Sequence, residues 1–161
     1  MKKSSTFLIK ISVIDVGLAM NDQLRPGWFT AVIYIAVAWN ILGVLQFIAH
    51  INISEQQLIE MPVQQALLIS EMPTWVNAAF AIAVIFGLLG SIAMLMGKAL
   101  ALPLFLISML GIVTQNYYSV FMSNAIDVMG TAAVLVPALV FSIGLVLIWL
   151  SFSAKNKGWL E

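Results

Sequence analysis

Residues 75–97, WVNAAFAIAVIFGLLGSIAMLMG, and residues 99–121, ALALPLFLISMLGIVTQNYYSVF, decide how this chain is built. Only Lys98 separates them. A run of about 20 apolar residues, at a rise of about 1.5 Å per residue, matches a hydrocarbon core of about 30 Å. Two such runs joined at one lysine predict a helical hairpin that crosses a membrane twice and turns tightly. Neither run contains a set of residues with the make-up of a catalytic centre.

Composition extends this reading to the whole chain. Its 161 residues are enough for one domain, and 62% are hydrophobic while only 9% are charged. Soluble domains carry about 25% charged residues, and the mean hydropathy here is +1.05. The net charge is zero, so no basic surface can follow a phosphate backbone and no nucleic-acid partner is expected. There is no cysteine, which rules out disulfides, iron–sulfur clusters and thiolate-bound zinc. The lone histidine, His50, cannot build a multi-histidine metal or haem site. No cofactor is expected. The expected partners are membrane lipids, with a second copy of the chain or a larger membrane complex beside them.

Two further apolar runs complete a set of four spans: 28–51, 74–97, 99–121 and 131–152. Trp28 and Trp75 open the first two, where interfacial aromatics belong. In the first span Asn40, Gly43, Phe47 and His50 are spaced to share one side, with Gln46 bordering it. Polar groups in hydrocarbon are costly unless paired, so that side should face other helices. In the second span Ala79, Ala83, Gly87, Gly90 and Met94 fall within one narrow arc, and small residues there let another backbone approach closely. In the third, Ser108, Gly111, Gln115 and Tyr118 share a face. Pro103 stands near the start of the third span, and Pro137 is expected to bend the fourth.

The connections are read more coarsely. Residues 52–73 carry Glu55, Glu60 and Glu71 and no base; Pro62 and Pro73 interrupt them, and Ser54 with Gln57 fits a capping box. A surface helix within 55–70 is left open. Residues 122–130 read as a short loop carrying Asp127. Before the first span, Phe7, Ile11, Ile14 and Leu18 lie on one helical face flanked by Lys10 and Asp15, as in a helix resting on the cytoplasmic surface. Lys2 and Lys3 resemble the start of a signal peptide, but the apolar stretch behind them is broken by charge, so the segment is read as retained. The expected organisation is a cytoplasmic N-terminal segment over 1–27, a transmembrane domain over 28–152 and a cytoplasmic tail over 153–161.

Four spans put all seven basic residues on one side: Lys2, Lys3, Lys10, Arg25, Lys98, Lys155 and Lys157. The opposite connections hold Glu55, Glu60, Glu71 and Asp127. The positive-inside rule then places both termini in the cytoplasm. The expected fold is all-α: an antiparallel four-helix transmembrane bundle with an N-terminal amphipathic helix.

The outer ends of three spans carry polar groups at similar depth: Gln46 and His50, then Asn77, then Gln115, Asn116 and Tyr118 beside Tyr117. One reading is a hydrogen-bond network between helices. The other is a small polar pocket open to the non-cytoplasmic face, with Glu71 or Glu55 nearby. Neutral amides and tyrosines suit sugar or carbonyl oxygens. No span has a charge at its middle, as ion-coupled pumps usually require. Neither Ser91 nor Ser108 has a histidine at its depth, so no enzyme is expected. An accessory or structural membrane subunit is the first functional reading. A transporter or binding protein for a small neutral polar solute is the second, and a membrane enzyme or quinone-reactive protein the third.

The stretch from residue 72 to residue 115 also resembles a family of small bacterial four-span inner-membrane proteins. The resemblance rests on Pro73, Trp75, Phe80, Gly87, Gly90, Pro103, Phe105 and Ser108. It implies a multi-pass protein of the bacterial inner membrane. Some members carry a sugar-transporter label, and the shared residues bring no catalytic set.

Overall fold

The computed structural model describes residues 25–161. The N-terminal amphipathic helix and the retained leader expected before them lie outside the described residues. Among the described residues there are seven helices and no strand: α1 Gly27–Ile51, α2 Glu55–Glu60, α3 Val63–Ser70, α4 Thr74–Leu95, α5 Ala101–Phe121, α6 Ala125–Met129 and α7 Ala132–Asn156. Of these, α1, α4, α5 and α7 are long and apolar enough to cross a bilayer.

Prolines set where helices begin. Pro26, Pro62 and Pro73 each occupy the position before a helix, with extended ψ angles of 145°, 134° and 145°. Their carbonyls accept the first helical bonds, and their missing N–H costs nothing at a helix start. Pro103 lies in the first turn of α5 for the same reason. Pro137 is inside α7 and removes one rung of its ladder. The Ser54 hydroxyl accepts from the Gln57 N–H at 3.2 Å while Ser54 N–H donates to Gln57 Oε1 at 2.9 Å, completing the capping box of α2. Pro62 then divides the 55–70 region into two short helices.

Glycines set where two of the long helices stop. After α4, Gly97 has φ +75°. Its N–H donates to the Met94 carbonyl, and that of Lys98 reaches the Ala93 carbonyl at 2.8 Å. After α7, Gly158 has φ +70°, with Gly158 N–H donating to Lys155 and Trp159 N–H to Ala154 at 2.9 Å. Both are Schellman endings, which need the left-handed conformation that glycine adopts without a steric penalty.

These two endings meet. Glu161 N–H donates to the Gly97 carbonyl at 2.8 Å, and Ala99 N–H donates to the Glu161 carbonyl at 2.7 Å. Arg25 binds both, through Nε to the Trp159 carbonyl at 3.0 Å and Nη1 to the Leu95 carbonyl at 3.1 Å. A cation there faces the partial negative charge at the C-termini of α4 and α7. Within residues 153–161, expected as a cytoplasmic tail, α7 runs on to Asn156 and the chain reverses at Gly158 to bury Leu160. The apolar pair Trp159–Leu160 drives this return, with Trp159 packed 5.1 Å from the Phe29 ring. Residues 122–130 differ from the expected loop as well. They contain α6, which Gly130 ends at φ +61°.

Packing is organised around α4 and α5, which share the broadest contact; α1 lies on α4, and α7 lies on α5. The small residues of α4 explain the closeness. A Cβ on Gly111 of α5 would stand 2.6 Å from the Ala79 carbonyl oxygen and 2.8 Å from the Ala83 nitrogen. A Cβ on Gly90 would meet the Phe105 ring at 2.9 Å. The polar stripe of α1 faces α4 throughout: Asn40 reaches Ser91 and Gly87, Gly43 meets Val84, Phe47 meets Phe80, and His50 reaches Asn77. At the end held by Arg25, Phe29, Ile33 and Ala36 of α1 join Met94, Phe105, Leu147, Ala154 and Leu160 in one buried cluster.

Candidate functional site

Beyond that cluster a cleft of about 400 Å³ lies between α1 and α7, with α4 and α5 as its back wall. Ligand pockets commonly fall in the range of about 300–1,000 Å³. Trp39, Leu42, Phe80, Val84, Ile112, Val136, Val140 and Ile143 supply most of its surface. Polar groups enter at two depths. Asn40, Ser108 and the backbone of Gly87 lie deep, and Gln46, Gln115, Asn116 and Ser119 lie further out. No described residue lining the cleft is charged.

The deep polar groups are held by a chain of hydrogen bonds. Asn40 Nδ2 donates to the Ala36 carbonyl at 2.8 Å and to Ser91 Oγ at 2.9 Å. Ser91 Oγ donates in turn to the Gly87 carbonyl at 3.0 Å. Because the Ala36 carbonyl can only accept, the Asn40 nitrogen must face it, which turns Oδ1 toward Gly87. Ser108 Oγ donates to the Ala83 carbonyl at 2.6 Å. Asn40 Oδ1 and Ser108 Oγ then flank Gly87: the serine oxygen is 3.2 Å from where a Gly87 Cβ would stand, and the amide oxygen is in contact with that point. Only glycine leaves room for both.

The residues singled out from sequence separate into groups. Gln46, Gln115 and Asn116 come together on the cleft wall, with Asn116 Nδ2 3.5 Å from the Pro137 carbonyl. His50 and Asn77 pair instead with each other across α1 and α4, Nε2 to Oδ1 at 3.0 Å, beside the Phe80 ring at 5.9 Å. Tyr118 packs edge-on against Trp75 at 5.6 Å. These last three do not line the cleft. Glu71 lies in a separate hollow of about 340 Å³ between α3 and α6, with Asp127, Gln64 and Asn124. Among the described residues no three histidine or acidic side chains group as metal ligands would.

Asn40, Ser108 and Ser119 belong to the cleft but were not among the candidates read from sequence. Asn40 and Ser108 did lie on the polar faces of their spans, which was the available signal. Their depth, well inside the outer layer, set them apart from it.

No protein-family model, no curated protein and no solved structure matches the chain.

Proposed function

We propose that this is a multi-pass integral membrane protein that binds a small uncharged molecule in the α1–α7 cleft. The observation that carries the reading is the cleft itself: about 400 Å³, walled by carbon, reached by the amides of Asn40, Gln46, Gln115 and Asn116, and free of charged residues among those described. Burying a charge there would be costly without a counter-charge, so a neutral ligand is the chemical match. The protein has no catalytic role in this proposal, since the cleft offers amides and hydroxyls but no titrating acid–base pair.

The remaining elements of the proposal follow from charge. Arg25, Lys98, Lys155 and Lys157 belong to the end where the α4 and α7 termini meet, while Glu55, Glu60, Glu71 and Asp127 belong to the connections at the opposite ends. Four antiparallel spans in a bacterial inner membrane, with residues 25 and 161 on the cytoplasmic side, accord with the positive-inside rule. The amide mouth of the cleft then lies toward the non-cytoplasmic face. Membership of the small four-span family that residues 72–115 resemble is part of the same proposal. Binding is tested with the purified protein in lipid nanodiscs, and passage with proteoliposomes, comparing the native chain with Gln46→Ala and Gln115→Ala. Solute uptake or retention that both substitutions leave unchanged would remove the cleft from the function.

An accessory-subunit role is the second reading. It is favoured by α1, which packs broadly on α4 alone and leaves Tyr34, Ile35 and Leu45 facing outward. The small-residue face of α4 is filled by the chain's own Asn40, Ser108, Phe105 and Gly111. Recovery of a stable complex from mild detergent, with a partner crosslinked to position 35 or 45, distinguishes this reading.

A further inference from the structure

The deep end of the cleft has a hydrogen-bonding character that its mouth lacks. Both N–H groups of the Asn40 amide are committed, to Ala36 at 2.8 Å and Ser91 at 2.9 Å. The Ser108 hydroxyl proton is committed to Ala83 at 2.6 Å. What these two residues present beside Gly87 is therefore oxygen lone pairs only. The mouth amides, Gln46 and Gln115, offer donors and acceptors alike. An acceptor pair without a donor, deep in an apolar cleft, selects a group that brings its own proton. A carbonyl or ether oxygen placed there would face two oxygens and find no partner.

We infer that the occupant of the cleft is an uncharged, rod-shaped lipophilic alcohol whose hydroxyl donates to Asn40 Oδ1 and Ser108 Oγ beside Gly87. This rests on the reading of the cleft as a ligand site. The wall between the two polar depths is apolar, through Val84, Ile112, Val140 and Ile143, so the body of the molecule is hydrocarbon. Asn40 and Gln46 are six residues apart on α1, about 9 Å at the helical rise. A second neutral polar group at about that distance from the hydroxyl meets the mouth amides. A sugar fits poorly, because most of its hydroxyls would lie against carbon without partners.

The test uses two isomers of one formula, 1-octanol and heptyl methyl ether, with 1,8-octanediol as the two-ended probe. The full-length protein is labelled with ¹⁵N-glycine in lipid nanodiscs. Gly43, Gly87 and Gly144 line the cleft and Gly97 and Gly158 do not, so the readout is local. The expected result is a saturable shift of the Gly87 resonance by octanol, at an apparent dissociation constant about three- to tenfold below that for the ether. The diol binds at least as tightly as octanol. Ser108→Ala narrows the gap between the two isomers without closing it, since Asn40 Oδ1 remains to accept the hydroxyl, and it keeps the native spectrum elsewhere, since the Ala83 carbonyl keeps its place in the α4 ladder. Equal constants for the isomers in the native protein overturn the donor inference and leave the cleft as a site. No shift of any cleft glycine with any probe, at concentrations that saturate the bilayer, overturns the cleft reading as well.

Discussion

The Asn40 amide of α1 stands 2.9 Å from the Ser91 hydroxyl of α4, and through that hydroxyl it is linked to the Gly87 carbonyl. One relay thus joins the two helices and aims the Asn40 oxygen into the cleft. In a double-mutant cycle of Asn40→Ala and Ser91→Ala, read by reversible unfolding in mixed micelles, the coupling is expected near 0.6 kcal/mol and not above about 1.7 kcal/mol, the range found between helices in lipid. A coupling of zero would mean that the two side chains do not meet in the membrane.

Gly111 and Gly144 make opposite forecasts for the same substitution. A methyl on Gly111 meets α4 backbone at 2.6 Å, which cannot move without separating the two helices. A methyl on Gly144 meets side-chain ends and no backbone: the flexible end of Met109 at 2.7 Å and Ile112 Cδ1 at 3.4 Å. Gly111→Ala should lower stability by about 1–3 kcal/mol. Gly144→Ala should stay within about 0.5 kcal/mol of the native chain, helped by the better helix propensity of alanine. If Gly144→Ala proved the more damaging of the two, the α4–α5 seam would have to be redrawn.

Gly97 and Gly158 share a left-handed conformation but differ in surroundings. Nothing lies within 4 Å of a Gly158 Cβ, whereas one on Gly97 collides with the Arg25 guanidinium. Gly158→Ala should cost only the backbone strain, about 1–2 kcal/mol. Gly97→Ala should cost more, because it also displaces Arg25 from Leu95 and Trp159. The excess should vanish in an Arg25→Ala background, and thermal unfolding of the native chain, the three single variants and the Arg25→Ala/Gly97→Ala double variant measures it. An excess that survives there would show that Arg25 is not the group in the way.

The chain has no cysteine, so single cysteines report topology without background. With the inner membrane intact, an impermeant maleimide is expected to label Gln56→Cys and Asp127→Cys. Lys98→Cys and Lys157→Cys should label only after that membrane is opened. The reverse pattern inverts the orientation, and labelling of positions 56 and 98 from one side changes the span count.

Several features of the fold were legible because they depend on local sequence alone. The start of α4 follows from Pro73 and the α2 capping box from Ser54 and Gln57, while the helical state of 55–70 as a whole was left open. The faces were legible too: the Asn40–His50 stripe does turn to α4, and Ala79 to Gly90 do admit close neighbours. Less legible were elements stabilised by distant partners. Residues 153–161 read only as a cytoplasmic tail carrying Lys155 and Lys157. Trp159 and Leu160 gain a burial site only when Phe29 and the Gly97 turn are brought beside them. The loop over 122–130 hid α6, a five-residue helix too short to show a period.

The candidate site divides along the same line. Sequence depth grouped Gln46, His50, Asn77, Gln115, Asn116 and Tyr118 in one outer layer, because periodicity reports height along a helix and the face it shares. It does not report which neighbour fills that face. Helix rotation and packing partner decided that His50 takes Asn77, that Tyr118 takes Trp75, and that Gln46, Gln115 and Asn116 are left to the cleft. Hydropathy and length by themselves determined four helices able to span a bilayer, since burial in lipid depends on how much apolar surface a segment carries. The cleft between α1 and α7, and the pair of acceptor oxygens around Gly87, came only from tertiary structure, because each depends on residues more than 20 positions apart in sequence, far beyond the reach of a helical repeat.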